Sequence, residues 1–197
     1  MPDIFIVTGH TPLSPGGVCG GTTEYLEGKR LSDALKGEIL RLCPEISVIT
    51  GEGNAFIENA GADDILLVLH KGTYDKNSPT HGAEIYVKGD AACSTQYDAY
   101  RLLFSICTEG GFSYKGVHPI SAKTPFRAFS RSCPKSAFLL KTGYMESERD
   151  SIASGFVLST LITDLATEII RIYKEKKYEI DTAVYTPSFG GEYFKAS

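Results

Sequence analysis

No stretch of this 197-residue sequence approaches the roughly 18 consecutive apolar residues of a bilayer-spanning helix, so a helical membrane anchor is not expected. A basic excess is missing too. With 20 Lys and Arg against 24 Asp and Glu, the formal net charge is −4. No broad cationic face is then available to neutralise phosphates, and nucleic acid is not an expected partner. Cysteine is sparse: Cys19, Cys43, Cys93, Cys107 and Cys133 are odd in number, widely spaced and without a CxxC pair. That argues against a disulfide framework and a thiolate zinc cluster alike. Met1 to Val7 carries Asp3 and runs at once into Gly9-His10, so no basic region followed by a long apolar run is visible and no secretion signal is expected.

What is present suits a globular α/β protein. A hydrophobic content of 42% with 22% charged residues matches a chain that buries a core. The length gives room for one such domain and too little for two well-packed ones. Asp3 to Thr8 is a short β-branched run ended by Gly9, which reads as a buried strand. A Gly- and Pro-rich loop follows from Thr11 to Thr23. From Glu24, Leu31, Leu35, Ile39 and Leu42 recur at helical spacing, Thr22 or Thr23 can cap, and Pro44 stops the pattern.

Further on, Ile46 to Thr50 alternates like a strand, and Ala55 to Gly61 suggests a short helix. Asp64 to His70 is the most apolar short run in the chain and suits a central parallel strand buried on both faces. Ala83 to Val87, Phe126 to Ser130 and Ala137 to Thr142 read as further strands. A helix over about Ser94 to Thr108 places Tyr97, Tyr100, Leu103 and Cys107 on one side, with Cys107 as a small core residue. A last helix over about Asp150 to Lys176 carries Ile152, Phe156, Leu161, Leu165, Ile169, Ile172 and Tyr173. Together these predict a single α/β domain: a mainly parallel twisted sheet of about six strands with helices on both faces, over residues 1–177. Residues 178–197 read as a tail or linker stub.

Three ligand-type residues fall where an open α/β sheet usually places its site, at the carboxyl ends of strands. His10 follows the first strand, His70 ends the central one, and Glu24 opens the first helix. Two imidazoles and one carboxylate form the ligand set of a catalytic zinc with a fourth position left for water. Each residue alone also has an ordinary use, since a Glu in the first turn of a helix is favoured by the dipole. His70 is the least ordinary of the three. Val or Ile in its place would extend the strand without an imidazole to satisfy.

The succession Ile-Phe-Ile-Val-Thr-Gly-His10, Gly20-Gly-Thr-Thr-Glu24, Asn59-Ala-Gly-Ala-Asp-Asp-Ile-Leu-Leu-Val-Leu-His70 and Gly82-Ala-Glu-Ile-Tyr86 resembles, in order and spacing, the zinc-dependent N-acetylmuramoyl-L-alanine amidases of bacterial cell-wall and phage endolysin type. The resemblance runs from about residue 3 to residue 175. It implies that His10, Glu24 and His70 bind zinc. It also implies that the substrate is peptidoglycan or a muropeptide, cleaved at the amide between N-acetylmuramic acid and L-alanine. Such a protein is made in the cytoplasm and acts on the wall after release or export.

One position departs from the family. Its last core strand ends in a pattern like Leu-Val-Glu-Thr-Gly-Phe, whose Glu serves as general acid/base; this chain has Leu139-Leu-Lys141-Thr-Gly-Tyr144. A carboxylate can take a proton from an attacking water and return it to the leaving amine, whereas a charged ammonium has no lone pair to accept one. Three accounts of Lys141 stay open. It acts itself, as a neutral base or as a charge that stabilises the oxyanion; or Glu146, His81 or His118 supplies the missing function; or hydrolysis is lost and the groove only binds wall fragments. A zinc hydrolase acting on another amide or peptide is a further reading. The polar loop from Thr73, containing Asn77 and ending at His81, is expected to line the substrate groove. Phe126, Arg127, Phe129 and Arg131 alternate as on a half-exposed strand.

Overall fold

The structure is a computed structural model, and it describes residues 1–72, 81–120, 126–145 and 158–185. Eight strands and five helices are assigned among them: β1 (Ile4–Thr8), β2 (Val18–Cys19), β3 (Thr22–Thr23), α1 (Glu24–Leu42), β4 (Val48–Glu52), α2 (Gly53–Ile57), β5 (Ile65–Gly72), β6 (Ala83–Lys88), α3 (Cys93–Gly110), β7 (Tyr114–Ile120), α4 (Arg127–Arg131), β8 (Ser136–Tyr144) and α5 (Leu158–Tyr185). The main sheet has six strands in the order β4-β1-β5-β8-β6-β7, and β2 and β3 form a small hairpin of their own.

The expected α/β architecture is observed, with one qualification that matters for the site. β4, β1, β5 and β8 run parallel, whereas β6 lies antiparallel to β8 and β7 parallel to β6. The amino-terminal ends of β6 and β7 therefore share the sheet edge at which β1, β5 and β8 end. β5 is central and covered on both faces, which is why Ile65 to Leu69 is continuously apolar and buried. Ile65, Leu67 and Leu69 join the large core with residues of α1, α3 and α5, while Leu66 and Val68 join a smaller one with Ile57 of α2 and Phe129 of α4. Each such side chain, fully removed from water, contributes about 1.5–3 kcal/mol.

α1 begins where its cap is. Thr23 is extended, and its hydroxyl accepts from the Leu26 N–H at 3.2 Å. Further along, Glu38 ties α1 to α5 through the Thr163 hydroxyl at 2.8 Å and pairs with Arg41 at 2.8 Å. Arg41, then Thr163, hold the Glu38 carboxyl down to about 2 from an ordinary 4.5. A carboxyl depressed in the fold gives its stabilisation fully above its unfolded value and loses it as pH falls through the folded one. Glu38→Gln is accordingly expected to flatten the decline in stability between pH 4.5 and about 2, read from denaturant midpoints at successive pH values.

Four local expectations are corrected. Phe126 to Ser130 is not a strand: Arg127–Arg131 is a helical turn whose Phe129 is buried, so the alternation marked one buried ring rather than a sheet face. β7 was not anticipated, because Tyr114–Ile120 contains Gly116 and Pro119 and sits at the sheet edge, where such residues are tolerated. On α3 the buried stripe runs through Asp98, Ala99, Leu102, Leu103 and Ile106, leaving Tyr97 and Tyr100 exposed; Cys107 is half-buried against the core. Asp98 is buried because Arg171 of α5 donates to it at 2.7 Å, part of a network in which Glu168 binds both Arg101 and Arg171. Finally, α5 continues to Tyr185, past the end read at Lys176, since no Gly or Pro interrupts it.

Candidate metal centre

β1, α1 and β5 bring the three ligand-type residues to one place. Glu24, only 4% exposed, offers Oε2 to His10 Nε2 at 3.2 Å and Oε1 to His70 Nδ1 at 2.9 Å. One ligand atom from each residue lies within 4.8 Å of the others. Backbone groups fix the carboxylate: Lys71 N–H donates to Oε1 at 2.8 Å and Gly17 N–H points at Oε2 from 3.4 Å. Burial alone would raise the Glu24 carboxyl, but the His70 and Lys71 hydrogen bonds outweigh it and hold Glu24 below the ordinary range. His10 turns Nδ1 to the Ser14 carbonyl at 3.1 Å, which leaves Nε2 facing Glu24.

This donor set fits zinc. Bonds of about 2.0–2.1 Å in a tetrahedral site put neighbouring ligand atoms roughly 3.3 Å apart, close to the separations of both histidines from Glu24. The packing around the ligands also leaves no slack. A side chain on Gly9 would overlap the His70 ring, and a Cβ on Gly16, at φ +74, would stand 2.7 Å from Glu24 Oε2 and 2.8 Å from His10 Nε2. Gly9→Ala should therefore displace His70 and weaken zinc binding by at least about tenfold, measured by competition with a chromophoric chelator.

The three residues line an open cleft of about 570 Å³ that also includes Gly17, Asn54, Lys71, Phe126 and Lys141. Phe126 packs edge-on against His70, with ring centroids 5.2 Å apart. Lys141 on β8 is the strand partner of both His70 on β5 and Glu84 on β6. Its Nζ lies 3.1 Å from Glu84 Oε1 and over the rings of Tyr86 (5.4 Å) and Phe126 (5.9 Å). Lys141 thus lines the cleft.

Glu84 was not singled out from the sequence. It is buried, accepts from Lys141 and from the Tyr144 hydroxyl at 3.4 Å, and stands 3.6 Å from His118 Nε2. Burial, the largest single influence, would raise its carboxyl, yet the charge and hydrogen bond of Lys141, the Tyr86 hydroxyl and the Lys115 charge together outweigh it and hold Glu84 below the usual range. The same environment pushes the Tyr86 phenol up, through burial and the neighbouring Glu84 charge. A signal existed: Glu84 interrupts a strand whose other phase is Ala83, Ile85 and Val87, and a carboxylate on a covered sheet face needs a partner. His118 reaches this cluster rather than His10, Glu24 and His70; His81 is exposed just ahead of β6. Asn77 and Glu146 lie outside the described residues.

No family sequence model matches the chain, and no curated protein matches it by sequence. Its architecture does match solved structures. An N-acetylmuramoyl-L-alanine amidase from Clostridium difficile 630 superposes with a TM-score of 0.66 at 11% identity, covering 88% of this chain and 97% of that one. The catalytic domain of the amidase CwlV from Bacillus (Paenibacillus) polymyxa var. colistinus gives 0.66 at 16% identity, over 88% of this chain and 98% of that one. The fold is that of the N-acetylmuramoyl-L-alanine amidases. A third example, the amidase AmiC2 of Nostoc punctiforme, gives 0.63 at 19% identity, over 87% and 97% of the two chains. Nearly the whole of each neighbour is covered, so the amidase fold extends across the sheet and its flanking helices rather than over one shared motif. Within that fold, this chain lines one cleft with His10, Glu24, His70 and Lys141.

Proposed function

We propose that the chain is a zinc-dependent amidase that hydrolyses the bond between N-acetylmuramic acid and L-alanine in peptidoglycan, a cell-wall lytic activity of the endolysin kind. The observation that carries this reading is the convergence of His10, Glu24 and His70 within 4.8 Å in an open cleft at the strand ends. When bound, zinc supplies polarisation of a carbonyl and activation of water as a nucleophile near neutral pH. The chain's own groups supply the rest. His10 and His70 present ring nitrogens, Glu24 is oriented by two backbone N–H groups, and Lys141 lines the cleft beside them. Among the described residues lining the cleft, Glu24 is the one carboxylate, and it is a ligand.

Metal-loaded protein incubated with purified peptidoglycan is expected to release new L-alanine amino termini, with no new reducing ends. Failure to do so on several wall types while still binding them would favour the second reading, a groove that holds muropeptides without cleaving them. One feature supports that second reading. The Lys141 ammonium is engaged by Glu84 and accepts no proton in that state. No helix among the described residues is long and apolar enough to cross a membrane.

A further inference from the structure

We propose that the surface groove between α3, α5 and the start of β7 is a saccharide-binding subsite. The inference rests on the amidase reading only for the source of the sugar, a glycan attached to the amide held in the cleft; the chemistry of the groove stands apart from it.

Three observations point to a sugar. First, α3 is aromatic on the face where a surface helix is ordinarily polar. Tyr97, Tyr100 and Phe104 follow at i, i+3 and i+7 opposite the buried stripe, and with Tyr114 of β7 they are between 48% and 66% exposed. Single exposed rings are ordinary, whereas four in one region form the kind of patch that marks a binding surface. Second, the lining mixes rings with hydrogen-bonding groups. The groove, of about 620 Å³, sets Tyr100, Phe104 and Tyr114 against Glu109 and Asp164, and the described residues that line it include no Leu, Ile, Val or Met. A ring face, negative in its quadrupole, attracts the polarised C–H groups on the flat side of a pyranose, while carboxylates accept from its hydroxyls and turn anionic ligands away. A docked amphipathic helix calls for a hydrophobic groove instead. Third, the floor is fixed. Arg101 holds Glu168 through Nε at 2.9 Å and Nη2 at 2.8 Å, and Arg171 donates to the same carboxylate at 2.9 Å. A ligand need not order such a floor on binding.

The groove also opens at the sheet edge that carries His10 and His70. Tyr114 is the strand partner of Ala83, and Ala83 of Thr142, so Tyr114 stands two strands, about 10 Å, from the residue that follows Lys141. A small pocket links the two places. It shares His70 and Lys71 with the cleft and is also lined by Phe112 and Leu161, close in sequence to Tyr114 and Asp164 of the groove. An extended polymer can therefore present an amide to the cleft and a neighbouring sugar to α3.

The test uses the zinc-loaded full chain and two probes, tetra-N-acetylchitotetraose and an acetylated, amidated tetralysine, with binding followed by NMR. The native chain should bind the oligosaccharide at low and high salt alike, and amide shift changes should fall on α3 and at Tyr114. Tyr100→Ala together with Phe104→Ala should weaken that binding by at least about tenfold, the scale of one stacked ring. Zinc content and melting temperature should stay near native, because both side chains are exposed. Tyr100→Phe keeps the ring and should bind like the native chain. Oligosaccharide binding that survives the double variant, or shifts confined to the metal cleft, overturns the inference. So does binding of tetralysine alone, lost at high salt, which would make the groove a docking site for a basic peptide; so does binding of neither probe. Release of L-alanine amino termini from peptidoglycan by the native chain is followed separately. Oligosaccharide binding without release upholds the subsite and overturns the amidase reading, and release without oligosaccharide binding does the reverse.

Discussion

His70→Ala should lower bound zinc from about one ion per chain to near none, and hydrolysis of peptidoglycan by at least about a thousandfold. The magnitude follows from the geometry. Glu24 sits between the two histidines, so deleting His70 removes one ligand and also a hydrogen bond that orients another, the 2.9 Å contact at Oε1. What remains is one imidazole and a carboxylate still held by Lys71 N–H. That pair cannot close a tetrahedral site, and the backbone runs so close that even a Cβ added at Gly9 or Gly16 would overlap His70, or Glu24 and His10. A thermal shift separates loss of metal from loss of fold. Excess zinc should raise the melting temperature of the native chain, by about 2.7 kcal/mol of stability at a hundredfold excess over Kd, and leave His70→Ala unmoved. If the variant keeps stoichiometric zinc, the site lies elsewhere and the assignment of His10 and Glu24 fails with it.

The convergence of His10, Glu24 and His70 was legible in the sequence because each member stands where local sequence fixes its place. His10 follows a strand ended by glycine, Glu24 opens a capped helix, and His70 ends a run that only a buried central strand explains. The order of strands then does the rest. What was not legible is the Glu84 side of the cleft, and the reason is strand direction. An alternating run such as Ala83 to Lys88 reads the same whether it lies parallel or antiparallel to its neighbour. With β6 taken as one more parallel strand, Glu84, at its beginning, belongs at the edge remote from the site. The antiparallel pairing reverses this and sets Glu84 directly against Lys141. Phe126 was hidden for a related reason. Its neighbours imitate a strand in sequence, but their short helical turn leaves its ring against His70.

Lys141→Glu should raise hydrolysis by about a hundredfold, and the structure says why the gain has a ceiling. The substitution puts a carboxylate into the cleft on the strand partner of His70, where a proton can be taken from the attacking water and handed to the leaving amine; general acid–base groups of this kind contribute about 10²–10⁴. The same step deletes the counter-ion of Glu84. Two carboxylates would then face each other where an ion pair of 3.1 Å now stands, and they cannot both ionise without cost. Part of the gain is spent holding one proton between them, and the sheet loses stability at high pH. Glu84→Gln in the same background should therefore add further activity and restore the melting temperature, since a neutral amide can donate to the new carboxylate. A fall in activity on Lys141→Glu would mean that the native ammonium itself stabilises the oxyanion and that this cleft works by fixed charge rather than by proton shuttling. Rates measured for the single and double variants, with zinc content checked in each, separate those two chemistries.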